Sequence, residues 1–308
     1  MNIHSFLFTG GGGAGSESIF RLMKSKYHLH FADADYSAIS TNIDNKYRHT
    51  IPFASDDKFI SEIISLCDKY DVNTVVPGVD EELLLMQKLQ KQTDNLNVMA
   101  PDYNYSKVML DKLTSMQFLD SLGIPVPKTV LLEDTATLKF PCIAKPRSGR
   151  GSRDVFTINK PESISAYSQL TGISKVDAVA QELLSGSEYT VTMVADAQNV
   201  LRKIIPVYVE QKRGITIRAK IDNNKKVIEA CRRIHEAAPT RATYNIQLML
   251  TTDGEVKPFE INPRVSTTFC LILAAGIDPL AAFLGEDNIG ALRNSQKLQR
   301  YWLNEFSS

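Results

Sequence analysis

The sequence lacks the features that mark membrane proteins, secreted proteins and nucleic-acid-binding proteins. Its 308 residues contain no apolar run near the ~20 residues that cross a bilayer. Lys+Arg and Asp+Glu number 35 each, so no surplus of charge indicates a nucleic acid or an anionic membrane as partner. The N-terminal residues show neither the basic region nor the cleavage site of a secretory signal. We therefore expect a cytoplasmic globular protein.

Cysteine and tryptophan are scarce, and their positions exclude further classes of site. The four cysteines, Cys67, Cys142, Cys231 and Cys270, are far apart and form no Cys-x-x-Cys pair, so a zinc site is not supported. Scattered thiols also indicate a reducing compartment. We expect the single tryptophan, Trp302, to be a packing anchor. The length allows two or more structural units.

An Asp-Gly pair near the end of the chain predicts a β-hairpin. Asp253-Gly254 separates two β-prone runs, and such a two-residue loop is a strong hairpin signal. Thr252 would then lie opposite Glu255. The register that follows predicts four more cross-strand pairs: Gln247 with Glu260, Asn245 with Asn262, Ile246 with Ile261, and Leu248 with Phe259.

The two faces of this hairpin differ in chemistry because strand side chains alternate with period two. One face gathers three amides and a carboxylate, and paired residues have Cβ atoms only ~4.5–5.5 Å apart. Such hard oxygens are the ligands that Mg²⁺ prefers. Arg264 adds a cation two residues beyond Asn262. The face with Leu248 and Phe259 is expected to be core. An ordinary hairpin with a solvated polar face is the alternative.

A glycine-rich loop near the N-terminus suggests a different ligand. Gly10, Gly12 and Gly15 satisfy G-x-G-x-x-G between a strand-like run and a helical run. Asp33 and Asp35 follow ~20 residues later, where dinucleotide-binding units place an acid for the ribose. Alone, this pattern favours NAD or FAD. A tight strand-to-helix turn would require the same glycines.

Strands and helices alternate as far as residue 100, which predicts a parallel sheet. The run Asp80-Glu81-Glu82 follows a buried strand and opens a helix. These acids either favour the positive end of the helix dipole or hold a substrate amine. The pattern changes at Ala100-Pro101-Asp102. We place a domain boundary there, giving domains of residues 1–104 and 105–308.

The second domain contains basic and glycine-rich segments suited to phosphate. A predicted helix at 106–122 carries Lys112, and Lys145 ends an apolar strand, where a buried ammonium requires an anionic partner. The loop Ser148–Arg153 offers backbone N–H donors and two guanidinium groups. It is not a Walker A loop, since the lysine precedes the glycines.

In their order along the chain, these segments resemble the ATP-grasp superfamily, in particular its carbamoyl-phosphate synthetase-like branch. The resemblance covers about two thirds of the chain and is carried by Asp111-Lys112, the lysine strand, the glycine loop, Gln181–Leu184, Asn245-x-Gln247 and FEINPRVSTT at 259–268. Two departures are Asp154, where the family often has glycine, and a Glu182-to-Glu188 spacing one residue shorter than in carbamoyl-phosphate synthetase.

The resemblance implies a fold of mixed α/β and α+β class. A Rossmann-like domain with a parallel sheet would precede an ATP-grasp domain of two subdomains, 105–180 and 181–308, with mainly antiparallel sheets. In this branch the glycine loop of the first domain is not used to bind a nicotinamide. It would border the cleft where substrate meets nucleotide.

The resemblance also implies ATP and one or two Mg²⁺ ions, which Mn²⁺ can replace, as cofactors. The expected nucleotide-binding residues are Lys112, Lys145, Ser148, Gly149, Gly151, Glu182, Leu184 and Glu188. The expected metal ligands are Gln247, Glu260 and Asn262, with Asn245 nearby. Arg264 and Lys145 would be the catalytic residues.

The implied activity is an ADP-forming ligase that joins a small-molecule carboxylate to an amine, or to a thiol, through an acylphosphate. Two alternatives stay open: a nicotinamide-dependent oxidoreductase using the Gly10–Gly15 loop, and a nucleotide-binding regulatory module without turnover. The sequence identifies neither the substrates nor the oligomeric state, and a homodimer is compatible with it.

Overall fold

The computed structural model describes residues 3–93 and 96–301, so Trp302, the expected packing anchor, lies outside the described residues. The N-terminal part forms a parallel sheet in the order β3-β2-β1-β4-β5. Its strands are β1 (Ser5–Thr9), β2 (His28–Asp33), β3 (Arg48–Thr50), β4 (Thr74–Val76) and β5 (Asn97–Val98). Its helices are α1 (Ser16–Met23), α2 (Phe59–Lys69) and α3 (Met86–Gln92).

The parallel sheet is buried on both faces, as its continuous apolar strands require. Leu7 of β1 faces α2 and α3 within one apolar cluster. Phe6 and Phe8, its neighbours in β1, face the opposite cluster together with α1. Phe269, from the C-terminal part of the chain, packs in this second cluster, so the first sheet is joined directly to the segment that follows the predicted hairpin.

Two helices and a four-stranded antiparallel sheet follow. The helices are α4 (Tyr103–Leu110) and α5 (Lys112–Ser121). The sheet has the order β6-β9-β7-β8, from β6 (Thr129–Leu131), β7 (Cys142–Pro146), β8 (Phe156–Ile158) and β9 (Ala178–Glu182), with α6 (Ile164–Thr171) packed against it. Residues 147–155, between β7 and β8, form a loop that we call the lid.

The predicted helix at 106–122 is in fact two helices. Asp111 has an extended backbone (φ −100°, ψ 113°), so α4 ends before it and α5 begins after it. The Asp111 carboxylate accepts hydrogen bonds from the backbone N–H groups of Leu113 and Thr114, at 2.9 and 3.1 Å, and so caps α5. This break places Lys112 in the first turn of a new helix.

A six-stranded antiparallel sheet forms the rest of the protein, in the order β14-β13-β10-β11-β12-β15. Its strands are β10 (Gly186–Ala195), β11 (Leu201–Arg213), β12 (Ile215–Ile221), β13 (Thr243–Thr251), β14 (Val256–Asn262) and β15 (Lys297–Gln299). The accompanying helices are α7 (Lys225–Ala237), α8 (Phe269–Ala274) and α9 (Pro279–Phe283). The fold class predicted from the sequence is confirmed.

The two faces of the six-stranded sheet have different partners. One face packs against α4, α5 and α7, with Tyr244 and Ile246 of β13 fully buried there. The other face is covered by α8 and α9 at the β11–β12 side. Its remaining part, on β10, β13 and β14, faces the four-stranded sheet across a cavity. Across residues 3–93 and 96–301, every helix is too short or too polar to span a bilayer.

A buried histidine pair in the first sheet makes the N-terminal part sensitive to acid. His30 Nδ1 and His49 Nε2 lie 2.8 Å apart, and burial lowers the pKa of each ring to about 4. In the unfolded chain both rings have the ordinary histidine pKa of ~6.5. Between about pH 4 and pH 6.5 the unfolded chain therefore binds more protons than the folded protein. Stability is consequently lost as the pH falls from about 6.5 to about 4.

We expect His49→Gln to reduce this acid-induced loss, because one of the two buried rings no longer has to stay neutral. The difference between the thermal unfolding midpoints at pH 7 and pH 5 measures this loss of stability in acid. An equal pH dependence in wild type and His49→Gln would contradict the assignment.

Candidate active site

The predicted hairpin exists, and its two critical pairs form as expected. Asn245 lies opposite Asn262, and Gln247 lies opposite Glu260. The connecting turn, however, has three residues rather than two, because Thr251, not Thr252, pairs with Glu255. Gly254 in this turn has a φ of +89°, the left-handed conformation that closes a three-residue hairpin loop.

A β-bulge at Phe259 compensates for the longer turn. Leu248 lies opposite Pro258, not Phe259, and the register shifts by one residue between Leu248 and Gln247. Leu248 is fully buried as predicted, but the prediction that Phe259 belongs to the core is wrong. Phe259 lines the cavity, and its ring centroid lies 5.6 Å from Lys145 Nζ. The extra residue therefore turns an aromatic side chain toward the site.

The three candidate metal ligands face the cavity, and their side chains differ in the hydrogen bonds that they already make. The side-chain nitrogen of Asn262 lies 3.4 Å from Asn245 Oδ1, which orients the Asn262 oxygen away from that partner. Gln247 Oε1 accepts a hydrogen bond of 3.0 Å from Lys212 Nζ. Among the described residues, no three His, Cys, Asp or Glu side chains cluster as a metal site. A cation here would depend on Glu260 together with amide oxygens.

Lys145 projects into the same cavity from β7 of the opposite sheet. Its side chain is 4% exposed, and Nζ donates to Gln181 Oε1 at 2.8 Å and to the Phe259 carbonyl at 3.3 Å. Burial lowers the pKa of Lys145 to about 8, although the Glu260 charge opposes the shift. Neither close partner carries a charge, so an anion placed beside this ammonium would be strongly favoured.

Lys112 and the lid close the cavity from one side. Lys112 Nζ donates to the Gly149 carbonyl at 2.8 Å. The lid also reaches the turn between β11 and β12, where Ser152 Oγ lies 3.4 Å from the Gly214 carbonyl. Asp154, where a glycine would be usual in the family, has a φ of +55°. It adopts the left-handed conformation that aspartate tolerates better than most residues.

The lid glycines are required by conformation rather than by crowding. Gly149 and Gly151 have φ values of +120° and +72°, and a Cβ added to either would meet no atom within 4 Å. Both line the cavity, as predicted. Ser148 does not: it lines a neighbouring depression on the outer side of the lid. The expected contact of Ser148 with a nucleotide stays a prediction.

The segment joining the two sheets supplies the apolar end of the cavity. Leu184 lines it, and Met249 follows on the neighbouring strand β13, paired with Glu188. Within the described residues, the backbone groups of Leu184 form no hydrogen bond with another backbone group. The Glu182 carboxylate accepts from the Lys128 backbone N–H at 3.2 Å, so it faces along the strand edge.

Lys212 was not singled out in the sequence, yet it connects two of the candidate residues. Its Nζ donates to Glu188 Oε1 at 2.8 Å as well as to Gln247. In the sequence, Lys212 was one of several basic residues after a strand, with no pattern to separate it from Arg213. Only the pairing of β10 with both β11 and β13 brings it across to Glu188 and Gln247.

Arg264 lines the cavity and contacts the N-terminal part of the chain. Its guanidinium forms an ion pair with Asp80, and both side chains are only 12% exposed. The neighbouring Glu81 forms an ion pair of 3.2 Å with Arg150 of the lid. Glu82 turns inward and contacts the Thr9 hydroxyl, and burial raises its pKa to about 8. The three consecutive acids, Asp80 to Glu82, thus contact three different partners.

The cavity has a volume of about 330 Å³ and an excess of positive charge. Its lining includes six basic side chains, Lys112, Lys145, Arg150, Arg153, Lys212 and Arg264. The acids that line it are three glutamates, Glu182, Glu188 and Glu260. Apolar residues at one end and cations at the other suit a ligand with a flat apolar ring and an anionic tail.

The Gly10–Gly15 loop does not lie open for a dinucleotide. The Asp33 carboxylate, predicted to be available for a ribose, accepts a hydrogen bond of 2.9 Å from the Gly12 backbone N–H. A Cβ at Gly12 would lie 2.5 Å from the Ala38 Cβ, and one at Gly15 would lie 3.4 Å from the Thr267 carbonyl. These glycines serve close packing, with Gly15 next to the segment that follows Arg264.

Comparisons with known proteins agree with this geometry. A family model described as an ATP-grasp domain matches residues 109–268. A carbamoyl-phosphate synthase from Methanobrevibacter smithii is 22% identical over 135 residues, 40% of this chain and 35% of that protein. The chain therefore matches about a third of the length of that relative.

Two solved structures share the fold over most of the chain. Carboxyaminoimidazole ribonucleotide synthase from Aspergillus clavatus, complexed with ATP, has a TM-score of 0.76 and 15% identity, covering 96% of this chain and 81% of its own. Biotin carboxylase from Campylobacter jejuni has a TM-score of 0.68 and 14% identity, covering 89% and 68%. At these identities the likeness shows a common fold.

Glu82 provides a test of the structure beside the cavity. Because its pKa is raised by burial, the folded state holds a proton that the unfolded chain releases, and the contribution of Glu82 to stability falls as the pH rises from about 4.5 to about 8. Glu82→Gln removes the titrating group. We expect the thermal unfolding midpoint of the variant, relative to that of wild type, to be higher at pH 8.5 than at pH 5. A constant difference would show that Glu82 titrates normally.

Proposed function

The chain belongs to the ATP-grasp domain family, and on that basis we propose that it is an ATP-dependent, ADP-forming ligase. In this proposal it activates a small-molecule carboxylate as an acylphosphate and transfers the acyl group to an amine. Residues 1–104 would act as the preceding domain and residues 105–308 as the ATP-grasp domain.

One observation carries this proposal. The paired residues Gln247 and Glu260 face the same cavity as two buried lysines from other elements, Lys112 and Lys145. Buried ammonium groups are costly unless an anion accompanies them, and their present partners are carbonyl and amide oxygens. A polyphosphate beside the lysines, with a divalent cation between it and Glu260, would satisfy both sides.

In this proposal the two parts of the nucleotide, its base and its phosphates, lie at opposite ends of the cavity. The apolar end at Leu184 and Met249 suits the adenine ring, and the open backbone groups of Leu184 suit its polar edge. Glu188, next along the strand from this end, would accept hydrogen bonds from the ribose hydroxyls. Lys112 and Lys145 would hold the phosphates, and the lid would cover them with its backbone N–H groups.

The donor set fits a magnesium ion. Glu260 supplies a carboxylate, Asn262 an amide oxygen already oriented by Asn245, and Gln247 a second amide oxygen. These hard oxygens match the preference of Mg²⁺. When bound, the ion would neutralise charge on the phosphates during transfer.

The reaction would proceed in two displacements. A carboxylate oxygen of the substrate attacks the γ-phosphorus of ATP, the bond to the bridging oxygen breaks, and ADP leaves. The amine nitrogen then attacks the acyl carbon, the bond between that carbon and the phosphate oxygen breaks, and the amine loses a proton as phosphate departs. Arg264 would hold the carboxylate, and Lys145 would stabilise the negative charge that develops.

Carboxylate-dependent release of ADP tests this proposal. We expect a screen of amino acids and small carboxylates, alone and with amines, to identify pairs that release ADP from ATP·Mg. Glu260→Ala should lower the rate by about 10²–10³-fold, because it removes the only carboxylate of the donor set. Glu255→Gln, an exposed acid on the same hairpin, is the matched control and should retain full activity. Full turnover by Glu260→Ala would refute the assignment.

Ligand-induced stabilisation separates the alternatives. We expect ATP·Mg to raise the thermal unfolding midpoint and NAD to leave it unchanged, because the Gly10–Gly15 loop is closed by Asp33 and Ala38. A shift with NAD would instead support the oxidoreductase. A shift with ATP·Mg that is never accompanied by ADP release would favour a regulatory module.

A further inference from the structure

The N-terminal domain reaches the cavity through two adjacent acids on one short 3₁₀ turn, Asp80–Glu82. Asp80 holds Arg264, which follows the metal-ligand strand β14. Glu81 holds Arg150, which lies in the lid. Two consecutive side chains of the first domain thus contact the two opposite sides of the cavity, which belong to different sheets of the second domain.

We propose that this turn controls the site, with Asp80 and Glu81 acting as positioning residues. Glu81 retains the lid in its closed position through Arg150, and Asp80 fixes the direction of the Arg264 guanidinium. Both acids lie outside residues 109–268, the part of the chain that the ATP-grasp domain model matches. The first domain would thereby complete a site whose nucleotide-binding groups all belong to the second.

The contacts of the lid support the retaining role of Glu81. Within the described residues, the middle of the lid (residues 148–153) makes only two hydrogen bonds apart from the Glu81–Arg150 pair: Ser152 Oγ lies 3.4 Å from the Gly214 carbonyl, and Lys112 Nζ donates to the Gly149 carbonyl at 2.8 Å. A Cβ built on Gly149 or on Gly151 would meet no atom within 4 Å, so no other part of the protein packs against the loop at these two positions. Under these conditions one ion pair shifts the balance between closed and open lid.

The burial of the other pair supports the role of Asp80. Arg264 and Asp80 are each only 12% exposed, so water screens their attraction weakly. Arg264 is also tied to its own segment of chain, since Nη1 donates to the Val265 carbonyl at 3.1 Å. The guanidinium is therefore oriented from both ends. Without Asp80 it would lose the charged partner that fixes its plane at the edge of the cavity.

The two pairs differ in strength, and the expected effects differ accordingly. The Glu81 and Arg150 side chains are 57% and 35% exposed, and pairs of this kind shift an equilibrium by about two- to fivefold. Misplacement of a group that orients a reacting carboxylate has a larger effect, up to about a hundredfold on the rate. Glu81 should therefore act on nucleotide retention, and Asp80 on the chemical step.

Limited trypsin digestion of the ligand-free protein tests the lid half of the proposal. Cleavage after Arg153, followed by mass spectrometry, reports opening of the lid in every variant. We expect Glu81→Gln and Arg150→Gln each to increase this cleavage by about two- to fivefold, with no further increase in the double variant. The charge exchange Glu81→Arg with Arg150→Glu should return cleavage to within twofold of wild type.

Glu62→Gln, an exposed acid on α2 of the same domain, is the control and should cleave like wild type. Equal cleavage in wild type and Glu81→Gln, or a charge exchange that cleaves as fast as the single variants, would overturn the role of Glu81. Because no nucleotide is present, this result does not depend on the proposed function.

Kinetics tests the other half, which rests on the proposed ligase activity. With any carboxylate that supports ADP release, Asp80→Asn should lower kcat by about tenfold to a hundredfold and leave the KM for ATP within twofold. Glu81→Gln should instead raise the KM for ATP by about two- to fivefold with kcat retained. An unchanged kcat in Asp80→Asn would overturn its role, whereas absence of ADP release in wild type would count against the function itself.

Discussion

The site depends on one constraint, the register of β13 against β14. Because side chains alternate along a strand, a slip of β13 by one residue against β14 would turn Gln247 toward the helices, away from Glu260 and Asn262, and Ile246 toward the cavity. The apolar residues of the opposite face prevent this slip. Tyr244, Ile246 and Leu248 are fully buried against α4, α5 and α7, so the core that stabilises the sheet also fixes the donors.

The arrangement of charge follows from that constraint. The six-stranded sheet presents its carboxylate, and the four-stranded sheet presents Lys145, whose pKa is lowered by burial in the absence of a close anionic partner. Each half of the cavity thus carries a charge that its own sheet does not balance. Binding a polyanion together with a cation would relieve both, which gives the ligand a stabilising role as well as a chemical one.

Much of this could be inferred from the sequence, and the failures have specific causes. Periodicity and the Asp-Gly turn signal gave the pairs Asn245–Asn262 and Gln247–Glu260, but two opposite errors, in the length of the turn and at Phe259, cancelled. Local signals do not reveal a bulge. The separation of α4 from α5 was missed because Asp111 also fits a helix interior. Lys212 and Asp80 gained their partners only through contacts distant in sequence.

The bulge at Phe259 has a consequence for how this hairpin can change over generations. The turn is one residue longer than the shortest loop, and the bulge restores the alignment beyond it. Phe259 is the residue that the opposite strand does not match, so its deletion would leave Leu248 opposite Pro258 and Gln247 opposite Glu260 but would remove the aromatic ring beside Lys145. Among descendants of this chain, the residue at this position can therefore change or be lost while the donor pairs on either side of it stay aligned.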